Sequence, residues 1–184
     1  MIRPFRLSPP ATPLVAFDGV DGLGQHCRLD TEDQKALVEA FERAAVDYLD
    51  GYTGRLGRCI LRQKWAYPVS RFRNVLMLPF PDCREFAIER REPDGTLVSV
   101  DAEIVQVGDC IDLTTLPELS GEILLTFWAG WETEADVPAS LKQAVRFLVA
   151  DWFENRPGVA TGERVTELPF AVTAMIGPLI HFSV

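Results

Sequence analysis

The sequence is poor in the residues that most often perform catalysis. Its two histidines, His26 and His181, lie near opposite ends of the 184 residues. Their spacing leaves a Ser-His-Asp or Cys-His pair open, but no G-x-S-x-G elbow supports one. We therefore predict that the chain has no catalytic residues and is not an enzyme.

Metal-binding patterns are missing as well. The four cysteines, Cys27, Cys59, Cys83 and Cys110, stand far apart, with no C-x-x-C pair and no histidine at metal-ligand spacing. Cys59 and Cys110 lie in apolar segments, where a free cysteine behaves as a small buried hydrophobe. We expect reduced thiols in a cytoplasmic fold, with no metal ion and no cofactor.

Two segments with the composition of a ligand site have a simpler structural explanation. Residues 18–24 lack the ligand spacing of a calcium loop and the G-x-G-x-x-G order of a phosphate-binding loop, so we assign them to a turn. The carboxylates of Glu132, Glu134 and Asp136 are candidates for general acid-base catalysis or for metal binding. They precede a predicted helix, where the helix dipole favours negative charge, and we interpret them as a solvated loop.

Long hydrophobic runs are also absent. No apolar segment approaches the ~20 residues that span a bilayer, and the first residues show no apolar core of a signal peptide. We expect neither secretion nor membrane insertion.

The net charge of −9 argues against a protein whose main function is to bind nucleic acid, because binding the phosphates requires a basic surface. Residues 51–81 depart from this balance, since they contain no acidic residue. A surface for DNA or an acidic partner and a solvated strand face both fit this basic block, and we favour the strand face. Its basic residues are Arg55, Arg58, Arg62, Lys64, Arg71 and Arg73.

Helical periodicity occurs in two segments. In residues 37–52 apolar side chains recur every three or four positions, Asp30 or Thr31 can cap the start, and Gly51 ends the pattern. Residues 138–155 form a second helical pattern that is apolar almost all round. A helix of this kind must be covered on more than one side.

Between these helices, residues 58–131 follow a period of two with frequent turns. Pro93-Asp94-Gly95 and Gly108-Asp109 are turn sequences, and Pro68 interrupts the first strand. The predicted fold class is α+β, with long amphipathic helices packed together, an inserted small, mainly antiparallel β-sheet, and an extended apolar C-terminal tail.

The two ends differ from this central part. Residues 1–28 are rich in proline and glycine and are predicted to form an extended arm, residues 29–164 one domain, and residues 165–184 an apolar segment. This last segment either folds back on its own domain or docks on another chain. We favour docking and expect a chain ending at residue 164 to fold. The large apolar residues of the segment are Phe170, Val172, Met175, Ile176, Leu179, Ile180 and Phe182.

Short motifs follow one another in a recognisable order along residues 29–182. The first helix ends in Tyr52-Thr53-Gly54-Arg55, and an apolar strand ends in Ala129-Gly130-Trp131. The second helix ends in Trp152-Phe153-Glu154-Asn155-Arg156, and Leu168-Pro169-Phe170 follows it. This order resembles the head-tail connector (adaptor) proteins of long-tailed phages, including prophage and gene-transfer-agent versions. In that resemblance, residues 29–164 correspond to the connector domain.

The resemblance implies a structural virion protein. Such a subunit forms a homo-oligomeric ring, commonly twelve-fold, between the portal protein and the next neck or stopper protein on the tail side. DNA passes through the ring without sequence-specific binding, and a negative net charge agrees with a channel that does not hold DNA. The expected location is the neck of the particle, and the bacterial cytoplasm before assembly.

Single residues have expected roles in such a subunit. The apolar residues of the last segment are expected to dock on the portal, and Arg55 and Arg156 are candidates for intersubunit contacts. For Arg156, a local role at the end of its helix is equally open. Trp128 and Trp131 are expected to anchor the core. A tail-completion or stopper protein of the neck is the nearest alternative, and a small-molecule-binding or enzymatic domain is a more distant one.

Overall fold

The computed structural model of the chain describes residues 3–29, 32–69, 75–112, 121–155 and 170–182. These residues combine helices with antiparallel sheets, so the predicted α+β class is confirmed. Several sequence-based predictions concern residues outside these ranges: the helix cap at Asp30 or Thr31, Arg71, Arg73, Arg156 and Leu168-Pro169.

The helices in the described ranges are of ordinary length, which corrects the prediction of long amphipathic helices. They are α1 (Leu23–His26), α2 (Lys35–Leu49), α3 (Ala139–Glu154) and α4 (Phe170–Ile176). The two longest have 15 and 16 residues. α2 ends where Asp50 becomes extended and Gly51 adopts a positive φ of 78°. No helix in the described part of the chain is long and apolar enough to cross a bilayer.

The described strands form two antiparallel sheets instead of the single predicted sheet. The strands are β1 (Phe5–Ser8), β2 (Gln63–Val69), β3 (Val75–Met77), β4 (Arg84–Arg91), β5 (Leu97–Val100), β6 (Val105–Val107), β7 (Cys110–Asp112) and β8 (Glu122–Ala129). The large sheet has the order β1-β2-β8-β4-β5, and the small sheet has the order β3-β7-β6. The turns predicted at Pro93-Asp94-Gly95 and Gly108-Asp109 connect β4 with β5 and β6 with β7.

Pro68 lies inside β2 and does not interrupt it. β1 pairs with β2 from Lys64 to Ala66, whereas Pro68 pairs with Leu124 of β8. At Pro68, β2 therefore has a paired strand on one side only. Proline is tolerated in such an edge position, because the missing N–H removes no bond to a second neighbour.

The buried side chains form two separate hydrophobic cores. The helical core lies among the helices and includes Val38 and Val145, and the sheet core lies between the two sheets and includes Ile111 and Phe127. α3 packs against α1, α2 and α4. This packing confirms the prediction that the apolar surface of α3 is covered on more than one side.

Both ends of the chain pack onto the rest of the fold. β1 pairs with β2, and the Glu42 carboxylate of α2 accepts hydrogen bonds from the amides of Leu14 and Val15 at 2.9 and 3.3 Å. The predicted extended tail is wrong, because α4 and a 3-10 turn, Gly177–Leu179, form there and α4 packs against α3. A helix satisfies its own backbone groups while it buries apolar side chains. The boundaries at residues 28 and 164 stay predictions.

Candidate interaction surfaces

The Tyr52-Thr53-Gly54-Arg55 motif forms the turn that leads from the helical core to the sheet core. The amides of Arg55 and Leu56 donate to the carbonyls of Tyr48 and Leu49 at the end of α2. Gly54 has no room for a side chain, since a Cβ atom there would overlap the backbone carbonyls of the last helical turn. The motif is therefore explained by the closure of α2.

Asp50 is the polar centre of this turn. Its buried carboxylate accepts hydrogen bonds from the Ile60 amide at 2.6 Å, from Gln63 Nε2 at 2.9 Å and from Arg6 Nη2 at 2.9 Å. One side chain thus ties the end of α2 to β1 and β2. Burial raises the pKa of Asp50, and the hydrogen bonds from Gln63 and Ile60 and the charge of Arg6 oppose that rise.

Ala129-Gly130-Trp131 makes a second connection between the two cores. The Trp131 amide donates to the Ile60 carbonyl, and the Arg62 amide donates to the Trp131 carbonyl, both at 2.8 Å. Gly130 has a φ of 98°, and a Cβ atom there would overlap the Leu61 carbonyl. Glycine is required here so that the chain leaving β8 can approach the chain entering β2.

The two tryptophans near this connection lie under arginine side chains. The guanidinium carbon of Arg58 lies 4.3 Å from the ring centre of Trp131, and that of Arg62 lies 4.5 Å from the ring centre of Trp128. Trp131 packs against the helical core, as predicted. Trp128 is half-buried and belongs to neither core, because it lies on the face of β8 opposite to Phe127.

Carboxylates pair with three of the four basic residues in the described part of the 51–81 block. Arg62 pairs with Glu85 at 2.7 Å and with Glu132 at 2.8 Å. Arg58 likewise pairs with Asp82, and Lys64 with Glu89. Arg55 is exposed and makes no ion pair with a described residue. Because a paired cation has little charge left for phosphate, this pairing supports the strand-face interpretation.

Two of the three carboxylates of the 132–136 loop, Glu132 and Asp136, have structural partners. The hydrogen bond from Arg62, aided by Arg84, holds the pKa of Glu132 below its usual range. Asp136 accepts hydrogen bonds from the amide and hydroxyl of Thr133 at 3.0 and 2.7 Å. Within the described ranges, no group of His, Cys, Asp and Glu side chains is placed to hold a metal ion.

A shallow depression of about 390 Å³ lies beside this loop. Its charged side chains take part in the pairs described above, with Arg84 bound to Glu132 at 2.9 Å and Asp82 bound to Arg58. A small-molecule site needs polar groups that converge on the ligand. In this depression the charged groups form ion pairs with one another instead. The lining residues are Asp82, Arg84, Gly130, Trp131, Glu132 and Asp136.

The apolar residues of the last segment fall into two groups. One group packs on the helical core and consists of Val172, Met175, Ile176, Leu179 and Ile180, of which Val172 and Ile176 are fully buried. The other group consists of Phe170 and Phe182, which are 88% and 80% exposed. Phe170 and Phe182 can contact another molecule while α4 stays in place.

The end of this segment docks on the turn that follows α2. The His181 amide donates to the Leu56 carbonyl at 2.8 Å. Gly57 has a φ of 60°, and a Cβ atom there would overlap the His181 carbonyl. Gly57 therefore provides the space that lets the C-terminal segment approach the junction of the two cores.

Three solved structures share this fold over nearly the whole chain. A chain in "Neck of empty GTA particle computed with C6 symmetry" has a TM-score of 0.73 and 20% identity, covering 100% of this chain and 97% of that chain. A chain in "Virion of native gene transfer agent (GTA) particle" has a TM-score of 0.68 and 21% identity, with coverages of 98% and 96%. A chain in "Neck of native GTA particle computed with C12 symmetry" has a TM-score of 0.67 and 22% identity, with coverages of 98% and 97%. No protein-family model and no curated protein matches the sequence.

These similarities show a shared fold. The motifs that carried the sequence resemblance lie where the helical and sheet cores meet, at Tyr52-Thr53-Gly54-Arg55 and Ala129-Gly130-Trp131. Their glycines are fixed by close backbone contacts. The conformation of these two motifs is therefore explained by the fold.

The sequence patterns did not identify the buried polar residues Glu42, Asp50 and Gln63. Glu42 lies on the apolar stripe of α2, four residues after Val38 and three before Ala45, and this spacing could have predicted its burial. Asp50 directly follows the last helical residue, Leu49. Gln63 carries no signal, because its partner is distant in sequence.

Proposed function

We propose that this chain is a head-tail connector (adaptor) subunit in the neck of a phage-like particle or gene transfer agent. Copies of the chain form a ring below the portal, join the DNA-filled head to the tail and leave a channel for DNA. The observation that carries the proposal is the structural similarity over 100% of this chain to a chain in a gene-transfer-agent neck. The motif order in residues 29–182 supports the same role.

A ring is supported by the symmetry named for the similar structures, which were computed with C6 and C12 symmetry. A ring needs one surface of each subunit to bind a different surface of the next. The exposed Arg55 remains a candidate for such an intersubunit contact, and Arg156 remains one on sequence grounds.

Passage of DNA is supported by the electrostatics of the chain. The net charge is −9, and the described cations of the basic block are largely paired with carboxylates. A subunit of this kind does not hold phosphates tightly, so DNA can move through the ring.

Portal docking through the last segment is supported by its two exposed phenylalanines. Phe170 is the first residue of α4, and Phe182 follows the 3-10 turn Gly177–Leu179. Between them, Val172 and Ile176 are buried in the helical core. We propose that the buried pair positions the segment and that Phe170 and Phe182 insert into the portal. Burial of one such side chain is worth about 1.5–3 kcal/mol.

The test is removal and replacement of the chain in a producing strain. Without the chain, DNA-filled heads are expected to accumulate without tails, and the wild-type chain restores joined particles. A Phe170→Ala, Phe182→Ala double variant is expected to fold but not to restore them, whereas Val20→Ala, also at an exposed apolar residue, restores them. Normal particles without the chain would contradict the proposed function. Normal particles with the double variant would contradict only the docking residues.

A further inference from the structure

The small sheet buries Leu76 and Ile111 on one face and exposes apolar side chains on the other, while Gln106 of β6 is exposed on the first face. In its register Val75 lies opposite Asp112, which lies opposite Val105, and Met77 lies opposite Cys110, which lies opposite Val107. Residues opposite one another point to the same side of a sheet. These residues form one face, which we call the outer face. Leu76 and Ile111 alternate with them and are buried in the sheet core.

The outer face is apolar and open to solvent. Val75, Met77, Val105 and Val107 are 53%, 49%, 37% and 66% exposed. Among the residues of β3, β6 and β7 on this face, Asp112 is the single charged one. Soluble proteins seldom expose adjoining apolar side chains of this kind unless another molecule covers them.

The edge strands of the small sheet are short and uncharged. β3 has the sequence Val-Leu-Met and β6 has the sequence Val-Gln-Val, so each has three residues and neither contains a charge or a proline. Because very short edge strands resist pairing with another strand, the edges are not the expected contact. The apolar outer face is the surface of this sheet that remains for a contact with protein.

We propose that the outer face is the surface through which each copy of this chain binds the next copy in the ring. The inference rests on the proposed function and names the contact that function requires. Two copies that each carry a charge of −9 repel one another, and a contact surface with few charges adds least to that repulsion. The outer face has this character in its three strands, with valine, methionine and cysteine side chains around one aspartate. The strand residues of this face include no cation that could bind the phosphates of DNA.

The geometry of a ring adds a further condition. Ring contacts are heterologous, so the outer face of one copy binds a different surface of its neighbour. Two outer faces that bound each other would form a closed two-fold dimer, and this face would then not be available for a ring contact. The contact is therefore expected to join residues 105–107 of one copy to a segment outside β3, β6 and β7 of the next.

Photo-crosslinking of assembled particles tests the contact directly. A photoreactive amino acid replaces Val107, and a second sample carries it at Val98, an exposed valine on β5 of the large sheet. We expect the position 107 probe to link two copies of this chain, with mass spectrometry finding the linked peptide outside the small sheet. A link to another protein, a link between two small sheets, or no link at position 107 would each overturn the inference.

Substitution gives an independent readout. Val107→Glu adds a charge to the outer face and is expected to abolish the ring in the neck, while Val98→Glu preserves it. Circular dichroism should show unchanged melting of both purified variants, since both side chains are exposed. A normal ring with Val107→Glu, or loss of the ring with both variants, would overturn the inference. If the wild-type chain is itself missing from the neck, the proposed function fails first.

Discussion

The Asp50 carboxylate at the end of α2 accepts a hydrogen bond from the side-chain amide of Gln63, the first residue of β2, at 2.9 Å. Both side chains are buried, and Arg6 from β1 completes the arrangement. The bond joins the helical core to the sheet core at the turn that contains Tyr52-Thr53-Gly54-Arg55. These buried hydrogen bonds hold the helical core and the sheet core together.

Asp50→Ala should lower the free energy of unfolding by about 3 kcal/mol, because the buried Ile60 amide, the half-buried Arg6 guanidinium and one N–H of Gln63 lose their acceptor. Asp50→Asn should cost about 1 kcal/mol, since asparagine keeps one acceptor. The Gln63 amide can then turn and use its Oε1 atom, which has no hydrogen-bond partner among the described residues. Urea unfolding measures both values. Equal losses for the two variants would contradict this role of the carboxylate.

Glu42→Gln should cost less stability at about pH 8 than at about pH 4. Burial raises the pKa of Glu42, against the hydrogen bonds from the Val15 and Leu14 amides. A carboxyl with a raised folded-state pKa contributes stability that is fully present below its unfolded pKa, about 4.3, and is lost as pH rises through the folded pKa. The glutamine side chain does not titrate, so the variant lacks this pH dependence. Parallel urea unfolding of both proteins gives the difference, and a cost that grows with pH would show the opposite sign.

Gly57→Ala should destabilise the chain more than Gly108→Ala. The two glycines have φ values of 60° and 59°, so each substitution carries the same left-handed strain of about 1–2 kcal/mol. At Gly108 a Cβ atom meets open space, whereas at Gly57 it overlaps the His181 carbonyl. Faster hydrogen exchange at the His181 amide should accompany the loss in Gly57→Ala alone. Identical behaviour of the two variants would argue against docking of the C-terminal segment at Gly57.

Ile176→Ala should cost about 2–5 kcal/mol, because it opens a cavity in the helical core. Phe170→Ala on the same helix should change stability by less than about 0.5 kcal/mol, since Phe170 is exposed. Thermal unfolding compares the two. A chain ending at residue 164 lacks Val172 and Ile176, so it should be less stable than the full chain if it folds as predicted. Unchanged melting of Ile176→Ala would mean that α4 leaves the core in solution.

Local periodicity predicted most elements of this fold, and long-range packing decided what it missed. α3 and the strands from β2 to β8 follow apolar spacings of three to four or of two, which depend on neighbours in sequence. The division into two sheets depends on which strands pair, and periodicity carries no information on pairing. The last segment is apolar whether it covers its own core or a partner, so composition could not separate Val172 from Phe170. The polar joint of Asp50 and Gln63 likewise brings together residues from different elements.

A cryo-electron microscopy reconstruction of the neck from assembled particles tests whether copies of this chain form a ring there. We expect ring density between portal and tail into which this fold fits once per subunit, with the small sheet of each copy against its neighbour. Finding the chain in the capsid lattice or the tail tube, or a neck ring that the fold does not fit, would contradict this expectation.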